Sequence, residues 1–448
     1  SNLRWWPLAA ACCWVLIEFS YARIPFGGFG WGKLAFAAVD TPLSGYLPII
    51  GVAGVSFLVA LLGQLVAYLV LRIAQSVRGR RLSPRAWLVP TAIGLVIVLA
   101  GFGLVQARER DLDESLTPLP SVNVGIVQGN VPGRGIEAMG RARSVTNNHL
   151  AETVNLSVKA RLGEVPQPDF ILWPENSTDI DPLLDATTRA TVQTAAEVAE
   201  RPILVGAVLE GPGPNQRQTA ALWWDPERGV LDRYVKRNLV PFGEWIPFRD
   251  QLLPLIPLLA QVGAQSVPGT EPGVLTVPVG GNELRIGNII CFELAYDRTV
   301  YDTLTNGAQL LVVQSNNATY GGTGQIEQQF AITRARAMES RREIAVATTN
   351  SVSGYIDRDG TVVARTEEFT AASLVVPMPL RTGLTPAITL APWVEGGLAV
   401  AGLLACLLAV QLGVVAAVRA RRRPPPPEST GPADPPPGET PTDRVSLP

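Results

Sequence analysis

Four stretches of the chain are apolar for longer than an ordinary core element: Trp5 to Ser20, Tyr46 to Leu71, Ala86 to Val105 and Trp393 to Val418. Crossing a bilayer takes roughly 20 predominantly apolar residues. The pattern therefore predicts membrane helices over about 5–22, 46–71, 86–105 and 393–418. The connection after the first, Pro25-Phe26-Gly27-Gly28-Phe29-Gly30-Trp31-Gly32, is too rich in glycine to be helical. Between the third and fourth runs the pattern changes. Short β-branched runs predict strands at Val122–Val127, Phe170–Trp173, Ile203–Val208, Ala220–Trp224, Leu284–Ile290, Leu310–Val313 and Ala345–Thr348. Helical stretches fall between them at 141–161, 185–200, 295–306 and 325–342. This alternation over residues 120–388 predicts one α/β domain with a covered sheet, inserted between transmembrane helices.

Charge gives the expected arrangement a direction. Arg72, Arg78, Arg80, Arg81 and Arg85 lie between the second and third runs, and Arg419, Arg421, Arg422 and Arg423 follow the fourth. Arginine-rich short loops stay cytoplasmic, which puts both clusters on one side and residues 106–390 on the other. From Pro424-Pro425-Pro426-Pro427 onward the composition predicts a disordered cytoplasmic tail, so that 419–448 reads as basic and then proline-rich. Apolar residues make up 47% of the 448 and charged residues 17%, as a membrane-embedded chain requires. The net charge of −2 offers no basis for binding nucleic acid. The sequence lacks an initiating methionine, and the expectation is that further membrane helices precede it.

Three of the four cysteines, Cys12, Cys13 and Cys406, sit in apolar runs, which argues against a disulfide framework. No cysteine and histidine spacing suits a metal, and no cofactor is expected. His149 is the single histidine, far in sequence from Cys291. A nucleophilic Cys291 is therefore expected to use a base other than histidine.

Cys291 ends the apolar run Leu284–Ile290 and opens Phe292-Glu293-Leu294, a strand-to-helix turn in outline. Such a turn lifts a side chain out of the sheet and aims free backbone N–H groups at it, which suits a nucleophile; a core cysteine is the other reading. Glu175 follows Leu172-Trp173-Pro174 at the lip of a second strand, where a carboxylate with raised pKa could act as general base or simply sit in a loop. Lys236 and Glu244 lie in Tyr234-Val235-Lys236-Arg237-Asn238-Leu239-Val240-Pro241-Phe242-Gly243-Glu244-Trp245. A lysine beside a thiol favours the thiolate and can stabilise an oxyanion, or it can be a surface lysine. Gln314 to Gly321 either lines a pocket or makes a turn.

Glu, Lys and Cys in that order, each near a strand end, resemble the triad of the nitrilase superfamily. The wording of Val127-Gln128-Gly129-Asn130, Trp173-Pro174-Glu175, Lys236 to Glu244, Cys291-Phe292-Glu293 and Ser315-Asn316-Asn317 is similar to the apolipoprotein N-acyltransferase family, the membrane branch of that superfamily. The resemblance runs over nearly all of residues 1–420. It implies a nitrilase-like α-β-β-α sandwich on a membrane bundle, in a multi-pass protein of the bacterial cytoplasmic membrane with its catalytic domain extracytoplasmic. It also implies acyl transfer from a phospholipid to the α-amino group of a diacylglyceryl apolipoprotein. By position Cys291 is then the nucleophile and Glu175 the base, with Lys236 and the N–H of Phe292 at the oxyanion. Glu244 and Glu293 support the site, and Trp173, Tyr234, Trp245 and Asn316 are candidates for contacting substrate. Two departures concern the mouth of the site: Val131-Pro132-Gly133-Arg134-Gly135 stands where a Lys-Trp pair is common, and Phe292 where Tyr is common. The alternatives are a nitrilase-type amidase or esterase, and a catalytically silent scaffold whose tail recruits a partner such as a polyprenol-phosphate sugar synthase.

Overall fold

The computed structural model describes residues 5–77, 84–109, 119–131 and 143–421. The chain divides into two units, Ser1–Ala405 and Cys406–Pro448, and the account that follows concerns the first. The proline-rich tail, on which the alternative of a recruited partner rests, Arg78, Arg80, Arg81, Arg422, Arg423 and residues 132–135 lie outside the described residues.

Helices α1 (Trp6–Tyr21), α2 (Leu47–Val77) and α3 (Arg85–Glu109) open the chain. Among the described residues, three segments are long and apolar enough to cross a membrane: Pro42–Val77, Arg85–Arg108 and Pro386–Arg419. The span expected at 5–22 differs. As described, α1 has 16 residues, which at about 1.5 Å per residue falls short of a bilayer core. Its Glu18 is turned inward, where it accepts hydrogen bonds from Trp14 Nε1 and the Leu34 N–H.

The α/β region forms a seven-stranded and a six-stranded sheet. The first contains β1 (Ser121–Gln128), β2 (Phe170–Leu172), β3 (Ile203–Glu210), β4 (Gln216–Asp225), β5 (Gly229–Val235) and β6 (Gln265–Ser266), with β13 (Ala372–Pro379) at its edge. The second runs from β7 (Val274–Val279) through β8 (Asn282–Ile290), β9 (Leu310–Ser315), β10 (Ile344–Thr348) and β11 (Gly354–Ile356) to β12 (Val362–Arg365). The longer helices of this region are α4 (Ser144–Arg161), α5 (Ala186–Ala199), α6 (Asp297–Thr305) and α7 (Gln325–Ser340), and α8 (Pro386–Arg421) closes the described chain.

Period-two alternation explains the layering. Phe170, Leu172, Leu204 and Trp223 of one sheet share an apolar cluster with Leu284, Ile286, Leu310 and Val312 of the other. The intervening Ile171, Val205 and Leu222 turn outward onto α4 and α5 through Leu156, Val192 and Ala195. On the far side, Ile289, Leu311 and Val313 pack on α6, α7 and Val52 and Val55 of α2. Strands covered on both faces read as continuous apolar runs, and the result is an α-β-β-α sandwich.

The strands β1-β2-β3 and β8-β9-β10 are each parallel sets, so several C-terminal strand ends gather at one end of the sandwich. There Gln314 ties the two sheets together. Its Nε2 donates to the carbonyls of Trp173 at 2.6 Å and Leu204 at 3.2 Å, and its Oε1 accepts from Asn288 Nδ2 at 2.7 Å.

A glycine admits the loop after β2 to this end. A Cβ on Gly206 of β3 would lie 2.1 Å from the Pro174 carbonyl oxygen and 2.7 Å from the Glu175 Cα. Gly206→Ala is therefore expected to cost about 1–3 kcal/mol of stability, the scale of an overpacked core, and to displace Glu175. Thermal unfolding in detergent checks this, and an unchanged midpoint would contradict it.

Candidate functional site

Four side chains converge at the gathered strand ends. Glu175 follows β2, Lys236 follows β5, Glu244 comes eight positions later in the same loop, and Cys291 follows β8. The Lys236 Nζ lies 2.8 Å from Glu175 Oε1 and 3.0 Å from Glu244 Oε2, with its side chain only 1% exposed. Glu175 Oε2 accepts the Asn316 N–H at 2.8 Å, and Glu244 Oε2 accepts the Val240 N–H at 2.8 Å. The carboxylates are thus held by backbone groups as well as by the ammonium.

Cys291 adopts φ +51°, a left-handed conformation that a non-glycine residue holds only when its surroundings impose it. Glu293 braces the turn in which it sits. Its fully buried carboxylate accepts from Tyr234 OH at 2.7 Å and from the N–H groups of Arg237 at 2.6 Å, Asn238 at 3.2 Å and Ile290 at 2.8 Å. One side chain therefore binds the cysteine turn to the lysine loop. The short helical turn Cys291–Ala295 starts at the nucleophile candidate, and the N–H groups of its first residues have no partner inside the turn. Phe292 is among them.

Electrostatics separate the roles open to these groups. Burial pushes the Cys291 thiol up to about 12, helped by the charge of Glu175 and opposed by Lys236 and Ser315. At neutral pH the resting side chain is a thiol that needs a base. Burial also raises Glu175, against the pull of Lys236, with Glu244 reinforcing the rise. Burial alone would lower Lys236, but Glu175, Glu244 and Cys291 outweigh it and hold the ammonium well above its ordinary value. Gln329 of α7 donates to Cys291 Sγ at 3.8 Å and is itself fixed by Ser315 and Asn317.

Glu175, Lys236, Glu244, Cys291 and Asn316 all line one cavity of about 610 Å³. Val240, Phe242, Leu258, Leu259 and Val262 give it an apolar lining, and Tyr320 and Thr349 add polar edges. The other expected substrate contacts are placed elsewhere. Trp173 is fully buried in the core beneath α4, its ring 5.6 Å from that of His149 and its Nε1 donating to Thr153 Oγ1 at 2.9 Å. It ends an apolar strand, and packing claims it. Tyr234 spends its hydroxyl on Glu293, and Trp245 packs edge-on to Phe26 at 6.2 Å. Phe292 faces the glycine-rich connection, its ring 5.1 Å from Phe29 and stacked on Trp31 at 6.1 Å. Gln329 and Thr219 escaped the sequence reading. Gln329 belongs to a polar stripe on α7 with Thr333, Arg336 and Ser340, whose spacing marks one helix face but not that the face is buried.

A two-sheet sandwich with cysteine, glutamate and lysine at adjoining strand ends is the nitrilase-like fold. The chain belongs to the carbon-nitrogen hydrolase family, whose model matches residues 153–382, slightly more than half of it. Residues 1–65 match the apolipoprotein N-acyltransferase N-terminal domain. The chain is 37% identical over 384 residues to the apolipoprotein N-acyltransferase of Mycolicibacterium smegmatis, a match covering 84% of this chain and 63% of that protein. It therefore spans less than two thirds of that relative. It is 29% identical over 402 residues to the enzyme of the same name from Bordetella bronchiseptica, covering 84% and 68%. Among solved structures, an amidase of Nesterenkonia AN1 from the nitrilase superfamily aligns with TM-score 0.43 and 18% identity, over 61% of this chain and 95% of the amidase.

The raised thiol gives a pH signature. In the substrate-free protein, alkylation of Cys291 by iodoacetamide is expected to keep accelerating beyond pH 9 toward about 12. Peptide mass mapping resolves Cys291 from the other cysteines, and a plateau below pH 9 would contradict the assignment.

Proposed function

We propose that the protein moves a fatty acyl chain from a membrane phospholipid to the α-amino group of an N-terminal diacylglyceryl-cysteine on apolipoproteins, through a thioester on Cys291. The observation that carries this reading is the buried Glu175–Lys236–Glu244 cluster sharing one apolar-lined cavity with Cys291. The likeness to apolipoprotein N-acyltransferases and the apolar helices flanking the sandwich support it.

In the first step Glu175 takes the thiol proton as Sγ attacks the ester carbonyl carbon. The Lys236 ammonium and the Phe292 N–H stabilise the oxyanion. The carbon–oxygen bond to glycerol breaks, and the proton on Glu175 passes to the departing alkoxide, releasing a lysophospholipid. In the second step the incoming amine attacks the thioester carbonyl and Glu175 accepts its proton. The carbon–sulfur bond breaks, and the proton returns to the thiolate. Glu244 holds Lys236 in place, and Glu293 holds the cysteine turn. The acyl chain lies along Leu258, Leu259 and Val262, where an apolar lining keeps water from the thioester.

Arg72, Arg85 and Arg419 flank the apolar segments. With the other arginines of the two clusters they favour a multi-pass protein of the bacterial cytoplasmic membrane whose sandwich is extracytoplasmic.

Cys291→Ala is expected to abolish acyl transfer to a diacylated lipopeptide while the protein still folds. Substantial residual transfer would remove the central role of Cys291. Glu175→Gln is expected to slow thioester formation about 10²-fold or more, the usual scale for a lost general base. An unchanged single-turnover rate would take that role from Glu175.

A further inference from the structure

Among the described residues that line the cavity, one cation is not used by the reaction above. Along the inner face of β4, Trp223 and Ala221 belong to the inter-sheet core, and Thr219 comes next, its Oγ1 3.5 Å from Glu244 Oε1. Two residues further out, on the same face, is Arg217, roughly 7 Å beyond Thr219 by the rise of a strand. Both line the cavity with Cys291 and Lys236. Arg143, Arg237, Arg336 and Arg381 are all paired with carboxylates. Arg217 is not. Its Nε donates to Ser266 Oγ at 3.1 Å, which fixes the plane of the guanidinium, and among the described residues it forms no ion pair. The cavity's remaining charged side chain, Asp179, is already engaged by the Arg143 N–H at 2.7 Å and by Thr146 Oγ1 at 3.3 Å.

We propose that Arg217 binds the phosphate of the acyl-donor phospholipid and so sets the ester carbonyl against Cys291. The assignment rests on the acyl-transfer reading and deepens it. In a glycerophospholipid the ester carbonyl and the phosphate are separated only by the glycerol backbone. A carbonyl at Lys236 and Cys291 and an anion one side-chain row outward on β4 would put both ends of that unit in the one cavity. A guanidinium with its outer N–H groups uncommitted presents the planar fork that pairs with two phosphate oxygens at once. The recognised feature is the phosphodiester itself, common to headgroups of different alcohols. The acceptor lipopeptide carries no phosphate at its diacylglyceryl end, so Arg217 acts in the first step and not the second.

The test compares two donors of the same fatty acid, a phosphatidylglycerol in detergent micelles and the p-nitrophenyl ester. The acyl adduct on Cys291 is followed by intact-protein mass spectrometry in the unaltered protein, Arg217→Gln and Arg217→Lys. The expected result is that Arg217→Gln lowers the ratio of the phospholipid rate to the p-nitrophenyl ester rate about tenfold or more, the scale of a lost charge-assisted hydrogen bond, and that Arg217→Lys recovers part of it. The phosphate-free ester also reports whether the altered site is assembled. An unchanged ratio, with both rates lowered together or neither lowered, would overturn the assignment. So would an unchanged ratio combined with inhibition by inorganic phosphate that depends on Arg217, which would make the site one for a free anion. Failure of the unaltered protein to form an adduct from either donor would overturn the acyl-transfer reading itself, and the assignment with it.

Discussion

The buried ammonium of Lys236 between two carboxylates is the interaction on which the site depends. Removing three charges from water costs several kcal/mol per ion, and only close opposite charges with further hydrogen bonds offset it. Both conditions are met by contacts of 2.8 Å and 3.0 Å and by the N–H groups of Asn316 and Val240. The cluster is costly to build and costly to break: loss of Lys236 leaves two buried carboxylates without a cation, and loss of either glutamate removes part of what offsets the burial of the ammonium. It also sets the resting state next to it. Burial and the Glu175 charge keep Cys291 as a thiol; in the proposed reaction the Lys236 ammonium meets the negative charge that develops on the substrate carbonyl.

A second buried network connects this site to the apolar helices. The glycine at 51 takes φ +68° and interrupts α2, which frees the Val52 N–H to donate to Glu339 Oε1 of α7 at 2.9 Å. Glu339 Oε2 pairs with Arg336 at 2.6 Å, and Arg336 Nε donates to the Leu294 carbonyl at 2.8 Å, three residues after Cys291. Asp297 accepts from both Arg336 and Lys33 at 2.6 Å. Together with Phe29 and Trp31 on Phe292, these contacts hold the cysteine turn against the segment that joins α1 to α2. The geometry of the thiol is therefore set in part from outside the sandwich.

Much of this was legible in the sequence because it follows from local rules. Strands β1 to β4 and β8 to β10 each carry a largely apolar run where they are covered on both faces, and all seven were expected. The edge strands were not. Asp232 and Arg233 interrupt β5, Pro278 interrupts β7, and β11 and β12 are three and four residues long, so none shows a run worth reading. Glu175, Lys236, Glu244 and Cys291 were each ambiguous alone and gained meaning from their shared resemblance. What pattern could not supply was the direction of side chains. Trp173 lies two residues before Glu175 in sequence yet turns into the core, while Gln329 reaches Cys291 and Arg217 reaches the cavity from elements whose local sequence looks ordinary.

The central claim is that a thioester on Cys291 carries the acyl group between two substrates. Its most direct test is intact-protein mass spectrometry after incubation with phospholipid, followed by addition of a diacylated lipopeptide. The account predicts a mass gain of one fatty acyl group at Cys291 that disappears as the peptide gains the same mass at its α-amine. An adduct discharged only to water, with no acylated peptide, would contradict the account and make the protein a hydrolase.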